Sequence, residues 1–171
     1  MKTFQNATNK KIYLVRHGLS TRSKFGYGKK KLTARLLPEG KKEIEIIAKY
    51  LSEVSDSYNV SSPIRRCRES AEIISAATGK TFVFDKRLSE IHKESFNEFK
   101  NRVQQFIGSL ASIKESSIIV CTHAAVIASI KHLLTEGTFT LSDKNDYTKE
   151  GELAIVSNGE WKIVNIKGLN S

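Results

Sequence analysis

The sequence predicts an α/β fold: a layered sheet that is mostly parallel and has an antiparallel end. Two observations support this prediction. Short apolar runs alternate along most of the chain with segments whose apolar residues recur every three or four positions, the order expected of strands joined by helices. Near the C-terminus, Asn158-Gly159 separates two alternating runs, and this dipeptide favours a β-hairpin.

The first strand and the first helix flank a long polar connection. Residues 12–15 (IYLV) form a short β-rich apolar run, which predicts a buried strand ending at Arg16-His17-Gly18. Pro38 suits the first turn of a helix, and apolar residues then recur at helical spacing as far as Leu51. The polar stretch from Leu19 to Leu37 is long enough to be functional or mobile.

The next segment adds a strand, a helix and another strand. Residues 58–61 are predicted as a short strand. Pro63 is predicted to begin a second helix, which places Ala77 inward and ends at Gly79. Residues 81–84 (TFVF) are predicted as a third strand because aromatic and β-branched residues dominate them.

The second half of the chain contains the clearest helix. Apolar residues step by three or four from Phe96 to Leu110. Residues 117–121 (SIIVC) predict a buried strand, and a helix is predicted to follow from Ala124 to Leu134. A polar loop covers Thr135 to Gly151. The two hairpin strands are predicted at residues 152–156 and 161–166.

Charge is distributed unevenly along the chain. The 171 residues include 28 Lys and Arg and 18 Asp and Glu, which gives a net charge of +10. Twelve of the basic residues and one acid, Glu39, fall between Met1 and Lys42, so this first quarter carries all of the net charge. The distribution excludes a uniformly basic protein of the ribosomal type. It indicates an anion-facing surface, an N-terminal tail effect, or both.

The length indicates one domain spanning residues 1–171, with residues 1–10 as a flexible N-terminal extension. No stretch of about 18 apolar residues is present, so no membrane span is expected. The N-terminus lacks the apolar core of a secretory signal, which makes the cytoplasm the expected location. We expect Cys67 and Cys121 to be buried small residues, with a redox pair as the alternative.

Histidine and arginine follow three of the predicted strands. Arg16 and His17 end the first strand, a basic cluster at residues 65–68 follows the second, and His123 precedes the helix at Ala124. In sheets of this kind, sites lie at the carboxyl ends of the strands. Arginines bind phosphate oxygens as charged forks, a helix N-terminus favours anions, and a neutral imidazole can attack phosphorus. These residues together predict a phosphate site, in which a second, protonated imidazole can hold developing charge.

Four segments, in order, resemble the signature blocks of the histidine phosphatase superfamily, also called the phosphoglycerate mutase-like family. They are Ile12–Gly18 (IYLVRHG), Ser61–Ala71 (SSPIRRCRESA), Arg87–Ile91 (RLSEI) and Val120–Ile127 (VCTHAAVI). The resemblance covers roughly residues 11–166. It implies a three-layer α/β/α sandwich of the phosphoglycerate mutase-like type. Alignment on Ser62-Pro63 and Ala71 puts the family's phosphate-binding arginine at Arg66.

The resemblance implies a two-step phosphoryl transfer that uses neither metal nor cofactor. His17 becomes a phosphohistidine, and Glu90 first protonates the leaving oxygen and then activates water. The residues expected to hold the phosphoryl oxygens are Arg16, Arg66, His123, Ser20 and Ala124. A basic rim is expected from Arg22, Lys29, Lys30 and Lys31, which would favour multiply anionic substrates or acidic protein surfaces.

Two departures from the family pattern affect this assignment. Where many members have Glu-Thr-x-x-Asn after Arg-His-Gly, this chain has Leu19-Ser20-Thr21-Arg22-Ser23, so Ser20 replaces the Thr and Arg22 compensates for the missing Asn. The short segment Ile91–Ser95 stands where the family usually builds a cap over the site. An uncapped site argues against a mutase, and it leaves Glu94 as a competing candidate for the acid.

The sequence therefore predicts a phosphatase that hydrolyses phosphomonoesters, with protein phosphohistidine as the alternative substrate. A noncatalytic module that binds phosphoproteins or nucleic acid through the basic first quarter is the alternative from another class, although no nucleic-acid motif is present. The expected partners are a phosphorylated small molecule or phosphoprotein, with neither membrane nor nucleic acid, and the chain is expected to be a monomer or homodimer. His92 and His132 are expected at the surface.

Overall fold

The computed structural model describes residues 9–22, 31–166 and 168. Residues 1–8 of the predicted N-terminal extension lie outside this range. The strands are β1 (Lys11–Arg16), β2 (Ser57–Ser61), β3 (Val83–Phe84), β4 (Ser117–Thr122), β5 (Leu153–Ser157) and β6 (Glu160–Ile163). Four α-helices lie wholly within the described residues: α1 (Pro38–Ser52), α2 (Arg65–Thr78), α3 (Phe96–Ser109) and α4 (Ala124–Thr135). No helix of these described parts is long and apolar enough to cross a membrane.

The six strands form one sheet in the order β3-β2-β4-β1-β5-β6. β4 lies between β2 and β1 and pairs in parallel with both, whereas β5 and β6 continue the sheet in antiparallel fashion. This confirms the predicted mostly parallel sheet with an antiparallel C-terminal hairpin. The register places Arg16 opposite Thr122 and Ser61 opposite Cys121, so the carboxyl ends of β1, β2 and β4 meet at one edge.

Helices cover both faces of the sheet, because the side chains of each central strand alternate between two buried surfaces. Ile12 and Leu14 of β1 pack in one core with apolar residues of α3 and α4. Tyr13 and Val15 pack in a second core with α1 and α2. The arrangement confirms the predicted three-layer α/β/α sandwich.

The largest differences from the predicted elements are three boundaries and one orientation. The last strand, predicted to reach residue 166, ends at Ile163. α2 begins at Arg65 rather than Pro63, because the Ser62 hydroxyl accepts the amide of Ile64, whose backbone is extended. In α2 the side chains of Cys67 and Ala71 are buried, whereas Ala77, which was predicted to face inward, is exposed. The strand predicted at residues 81–84 is reduced to β3, since the Thr81 carbonyl accepts a hydrogen bond from the Asn59 side chain.

The backbone after β1 touches the first turn of α1. A Cβ atom placed on Gly40 would lie 2.2 Å from the carbonyl oxygen of Leu19, and one on Gly18 would lie 2.3 Å from the carbonyl oxygen of Gly40. Real Cβ atoms do not approach backbone oxygen this closely. The two glycines therefore allow α1 to pack directly against the segment that carries His17.

This contact predicts that Gly40→Ala destabilises the protein, because backbone on both sides must move apart. We expect a loss of about 1–3 kcal/mol in the free energy of unfolding, measured by urea denaturation. Gly108→Ala in α3 is the matched control, since nothing lies within 4 Å of its added Cβ. It should leave stability unchanged or raise it by about 0.5–1 kcal/mol. Equal stability of the two variants would contradict the close-contact explanation.

Candidate active site

A cavity of about 630 Å³ opens at the carboxyl ends of the central strands. Arg16, His17 and Ala124, which end β1 or begin α4, line its floor. Glu90, from the segment after β3, lines its side. The position agrees with the general rule for open α/β sheets, in which ligands bind outside the carboxyl ends of the strands.

His17 is buried, and its hydrogen bonds define its tautomer. The ring Nδ1 lies 2.9 Å from the Gly18 carbonyl oxygen, which only accepts, so Nδ1 carries the proton. Nε2 then has the lone pair and accepts a hydrogen bond from Arg66 Nε at 3.0 Å. Burial, together with the nearby Arg66 charge, holds the pKa of His17 well below its ordinary value of 6.5. The ring is therefore neutral at pH 7, with its lone pair on Nε2.

Arg66 is the centre of the buried polar network. Its side chain is fully buried at the start of α2, directly after β2. Nη2 pairs with the Glu90 carboxylate and also donates to Nδ1 of His123 at 3.0 Å. Nη1 donates to the Lys31 carbonyl oxygen at 2.8 Å. One guanidinium thus contacts both histidines and Glu90, whereas the neighbouring Arg65 is exposed and pairs with Glu69.

His123 lies beside His17, with ring centroids 5.3 Å apart. Because its Nδ1 accepts from Arg66, its Nε2 carries the proton and donates to the Ser62 hydroxyl at 2.8 Å. Burial, then the charge of Arg66, lowers the pKa of His123 well below 6.5. The ring is therefore neutral in this structure, which corrects the expectation of a protonated second imidazole.

The two candidate acids, Glu90 and Glu94, have different ion-pair partners in the structure. Glu90 is 9% exposed, and its carboxylate pairs with Arg66 on one oxygen and with Arg22 on the other. Glu94 instead forms an ion pair with Arg102 of α3, with Arg102 Nε 2.9 Å from a carboxylate oxygen. Only Glu90 of the two lines the cavity.

Arg16 is fixed by the long connection between α4 and β5. Its Nη1 donates to the Thr148 carbonyl oxygen at 2.6 Å, and its Nη2 pairs with Glu150 at 2.9 Å. Its Nε is buried and has no hydrogen-bond partner among the described residues. This leaves one buried guanidinium donor unsatisfied. Ala124 and Ala125, the first residues of α4, also line the cavity, and their amides have no carbonyl partners within the helix.

The remaining residues that were predicted to contact the substrate do not all line the cavity. Ser20 is fully buried in a backbone bridge with Leu36, and neither Ser20 nor Arg66 nor His123 is among the residues that line the cavity. Arg22 and Lys31 line it, and the Lys31 ammonium donates to the Ile91 carbonyl oxygen at 2.8 Å. Lys29 and Lys30 lie outside the described residues.

Sequence reasoning missed one wall of the cavity. Lys144, Asn145, Tyr147, Lys149 and Glu150 line it, although this segment was predicted only as a polar loop. The length of the connection was the available signal, since long loops in compact domains are usually functional.

His132 helps to hold this wall and is buried rather than exposed as predicted. Its Nε2 lies 2.8 Å from an Asp146 carboxylate oxygen, and its Nδ1 lies 3.0 Å from Glu136. His92 is exposed as predicted.

The two cysteines are free and buried, as predicted for small core residues. Cys67 Sγ lies 3.4 Å from His123 Nε2 and therefore packs directly beneath the site. Burial raises the pKa of the Cys67 thiol well above its ordinary value, which favours the unreactive protonated form. Among the described residues, no three His, Cys, Asp or Glu side chains are arranged to hold a metal ion.

The chain is similar to proteins of one superfamily. The family model described as Histidine phosphatase superfamily (branch 1) matches residues 12–93. The protein named "Putative phosphoserine phosphatase 2" of Hydrogenobacter thermophilus is 26% identical over 160 residues, which cover 74% of this chain and 79% of that protein.

Solved structures of phosphatases share the fold. The alpha-ribazole phosphatase from Shigella flexneri has a TM-score of 0.78 at 16% identity, over 90% of this chain and 94% of that one. A mycobacterial glucosyl-3-phosphoglycerate phosphatase with VO3 has a TM-score of 0.75 at 16% identity, over 90% and 97% of the two chains. The family match includes His17, Arg66 and Glu90. Residues 12–93 therefore match the histidine phosphatase superfamily, and the described chain has the fold of these phosphatases.

Proposed function

We propose that this protein is a phosphatase that hydrolyses phosphomonoesters without metal or cofactor, through a phosphohistidine formed on Nε2 of His17. The observation that carries the proposal is the protonation state of His17. Its proton is held on Nδ1 by the Gly18 carbonyl, and its Nε2 lone pair is beside the cavity's cationic groups. A neutral imidazole in this tautomer is the form that can attack phosphorus.

In the first step, a bond forms between Nε2 and phosphorus while the ester P–O bond breaks. The Nε–H of Arg66 must leave Nε2, and a phosphoryl oxygen is the acceptor that replaces it. The unpartnered Nε–H of Arg16 and the first amides of α4 provide further donors for the equatorial oxygens. Glu90, which enters this step carrying a proton, transfers that proton to the leaving alkoxide as the P–O bond breaks.

In the second step, water attacks the phosphohistidine. Glu90, now ionised, accepts a proton from that water as the new P–O bond forms and the P–N bond breaks. Arg22 and Arg66 contact opposite oxygens of the Glu90 carboxylate, so they hold it in one orientation for both proton transfers. Release of inorganic phosphate restores neutral His17.

A phosphorylated small molecule is the proposed substrate class. A cavity of about 630 Å³ falls in the range of about 300–1,000 Å³ that is usual for small-molecule sites. The relatives are named for phosphoserine, alpha-ribazole and glucosyl-3-phosphoglycerate, which are small molecules. Assays with a panel of phosphorylated metabolites and one phosphohistidine protein test this choice. Faster hydrolysis of the phosphohistidine protein than of every metabolite would reverse it.

A cytoplasmic location and a monomeric or dimeric state remain predictions of the sequence.

The role of Glu90 predicts a dependence on the leaving group. Glu90→Gln should lower kcat/KM for alkyl phosphates by about 10²–10³-fold, because the alkoxide then lacks a general acid. The loss should be much smaller for p-nitrophenyl phosphate, whose phenolate needs no proton to leave. Steady-state kinetics on both substrates make the comparison.

Glu94→Gln is the matched control, since Glu94 pairs with Arg102 outside the cavity. It should change neither rate by more than about twofold. An equal loss on the two substrates, or a larger loss in Glu94→Gln, would remove Glu90 as the acid.

A further inference from the structure

The cavity lining has more positively charged side chains than are needed to bind one phosphoryl group. Five basic and two acidic side chains line it. The two acids are already paired, Glu150 with Arg16 and Glu90 with Arg22 and Arg66. The three other cations are lysines, which we call the rim lysines: Lys31, Lys144 and Lys149. Within the part of the chain that the structure describes, none of them has a carboxylate oxygen within 4.0 Å.

The wall that carries Lys144 and Lys149 is anchored to the site. The amide of Gly151 donates to the His17 carbonyl oxygen at 3.1 Å, and the Lys149 amide donates to Glu152 at 2.8 Å. At the other end of the segment, Asp146 pairs with His132 at 2.8 Å. These contacts hold the two lysines at a defined position relative to the nucleophile.

Lys31 and Lys144 repel each other. The pKa of Lys31 is lowered, first by burial; the charge of Glu90 opposes this shift, and the charges of Arg22, Arg66 and Lys144 lower the pKa further. Like charges gathered at one cavity mouth without a directly paired carboxylate favour an anion from outside. In the proposed mechanism His17, Arg16 and the α4 amides bind the reacting phosphoryl group, which leaves the rim lysines for a different anionic group.

We propose that the rim lysines form a second anion subsite, which selects phosphomonoesters carrying a further anionic group, such as a carboxylate, on the same small molecule. The proposal rests on the proposed function and adds the substrate feature that the cavity recognises. A cavity several times larger than a phosphoryl group accommodates both groups of such a substrate.

Two probes that differ in one group test the subsite. 3-Phosphoglycerate has a carboxylate where glycerol 3-phosphate has a hydroxymethyl group. We expect the wild-type protein to hydrolyse 3-phosphoglycerate with the higher kcat/KM. The double variant Lys144→Gln/Lys149→Gln should lower the ratio of the two kcat/KM values about five- to tenfold at low salt, and less at high salt. The control Lys42→Gln/Lys114→Gln removes two exposed lysines outside the cavity and should leave the ratio unchanged.

The outcomes separate this inference from the proposed function. Hydrolysis of both probes with a ratio that is unaffected in the rim variant, or equally reduced in the control, overturns the subsite and leaves the phosphatase function intact. Failure of the wild type to hydrolyse either probe or p-nitrophenyl phosphate counts against the proposed function. In that case calorimetric binding still decides the subsite: tighter binding of 3-phosphoglycerate, lost in the rim variant, supports it, and equal binding of the two probes overturns it.

Discussion

His17→Ala is expected to lower kcat for phosphomonoesters by at least about 10⁴-fold and to abolish the phosphoenzyme. The reason is that no other side chain among the described residues offers a neutral imidazole lone pair to the cavity. The Nδ1 and Nε2 atoms of His123 both have partners, in Arg66 and Ser62, and His123 does not line the cavity. Rapid quenching after mixing with a ³²P-labelled substrate measures the intermediate, which should be stable in base and labile in acid.

His92→Ala is the matched control for this variant, because it removes an exposed histidine outside the cavity. It should keep both turnover and the phosphoenzyme. Since His17 is buried, His17→Asn provides a second, polar replacement, and circular dichroism checks that each variant is folded. A folded His17 variant that retains wild-type turnover would refute the nucleophilic role.

Arg66→Ala is expected to lower kcat/KM by about 10³-fold, because it removes the donor that contacts both histidines and must bind the phosphoryl oxygens. It should also lower the free energy of unfolding by about 3–5 kcal/mol, since it leaves the buried Glu90 with Arg22 alone. Arg66→Lys separates these effects. The lysine keeps the charge beside Glu90 but lacks the fork, so stability should recover more than activity does.

Arg65→Ala tests whether position 66 is the essential one. Arg65 is adjacent in sequence but exposed, and its i,i+4 pair with Glu69 lies at the surface. We expect a change of less than about 1 kcal/mol in stability and less than about twofold in kcat/KM. Urea denaturation and steady-state kinetics supply both numbers. A larger loss of activity in Arg65→Ala than in Arg66→Ala would show that the alignment is shifted by one residue.

Much of the fold could be predicted from local patterns. The short apolar run at residues 12–15 is typical of a buried strand, and apolar residues at every third or fourth position from Phe96 are typical of a helix. Each pattern therefore predicts one kind of element. Boundaries were less predictable because side-chain contacts decide them. The Ser62 hydroxyl, which accepts the Ile64 amide, delays α2 by two residues, and no local pattern announces that bond.

The histidine and arginine residues of the site could also be predicted from the sequence, because strand ends in an α/β sheet meet at one edge. Arg16, His17 and His123 follow strands that the register makes neighbours. The protonation states of His17 and His123 could not be predicted from the sequence. They depend on which carbonyl, hydroxyl and guanidinium surround each ring, and these partners come from distant parts of the chain.

The sequence by itself determined the α/β class, the order of the elements and which histidines and arginines follow the strands, because periodicity and strand-end position are local properties. Only the tertiary structure distinguishes the surroundings of Glu90 and Glu94, since it shows which carboxylate pairs with Arg66 and which with Arg102. It also brought Lys144 and Lys149 to the cavity mouth. Packing of the connection between α4 and β5 against Arg16 and His132 places them there, and that packing depends on residues far apart in the chain.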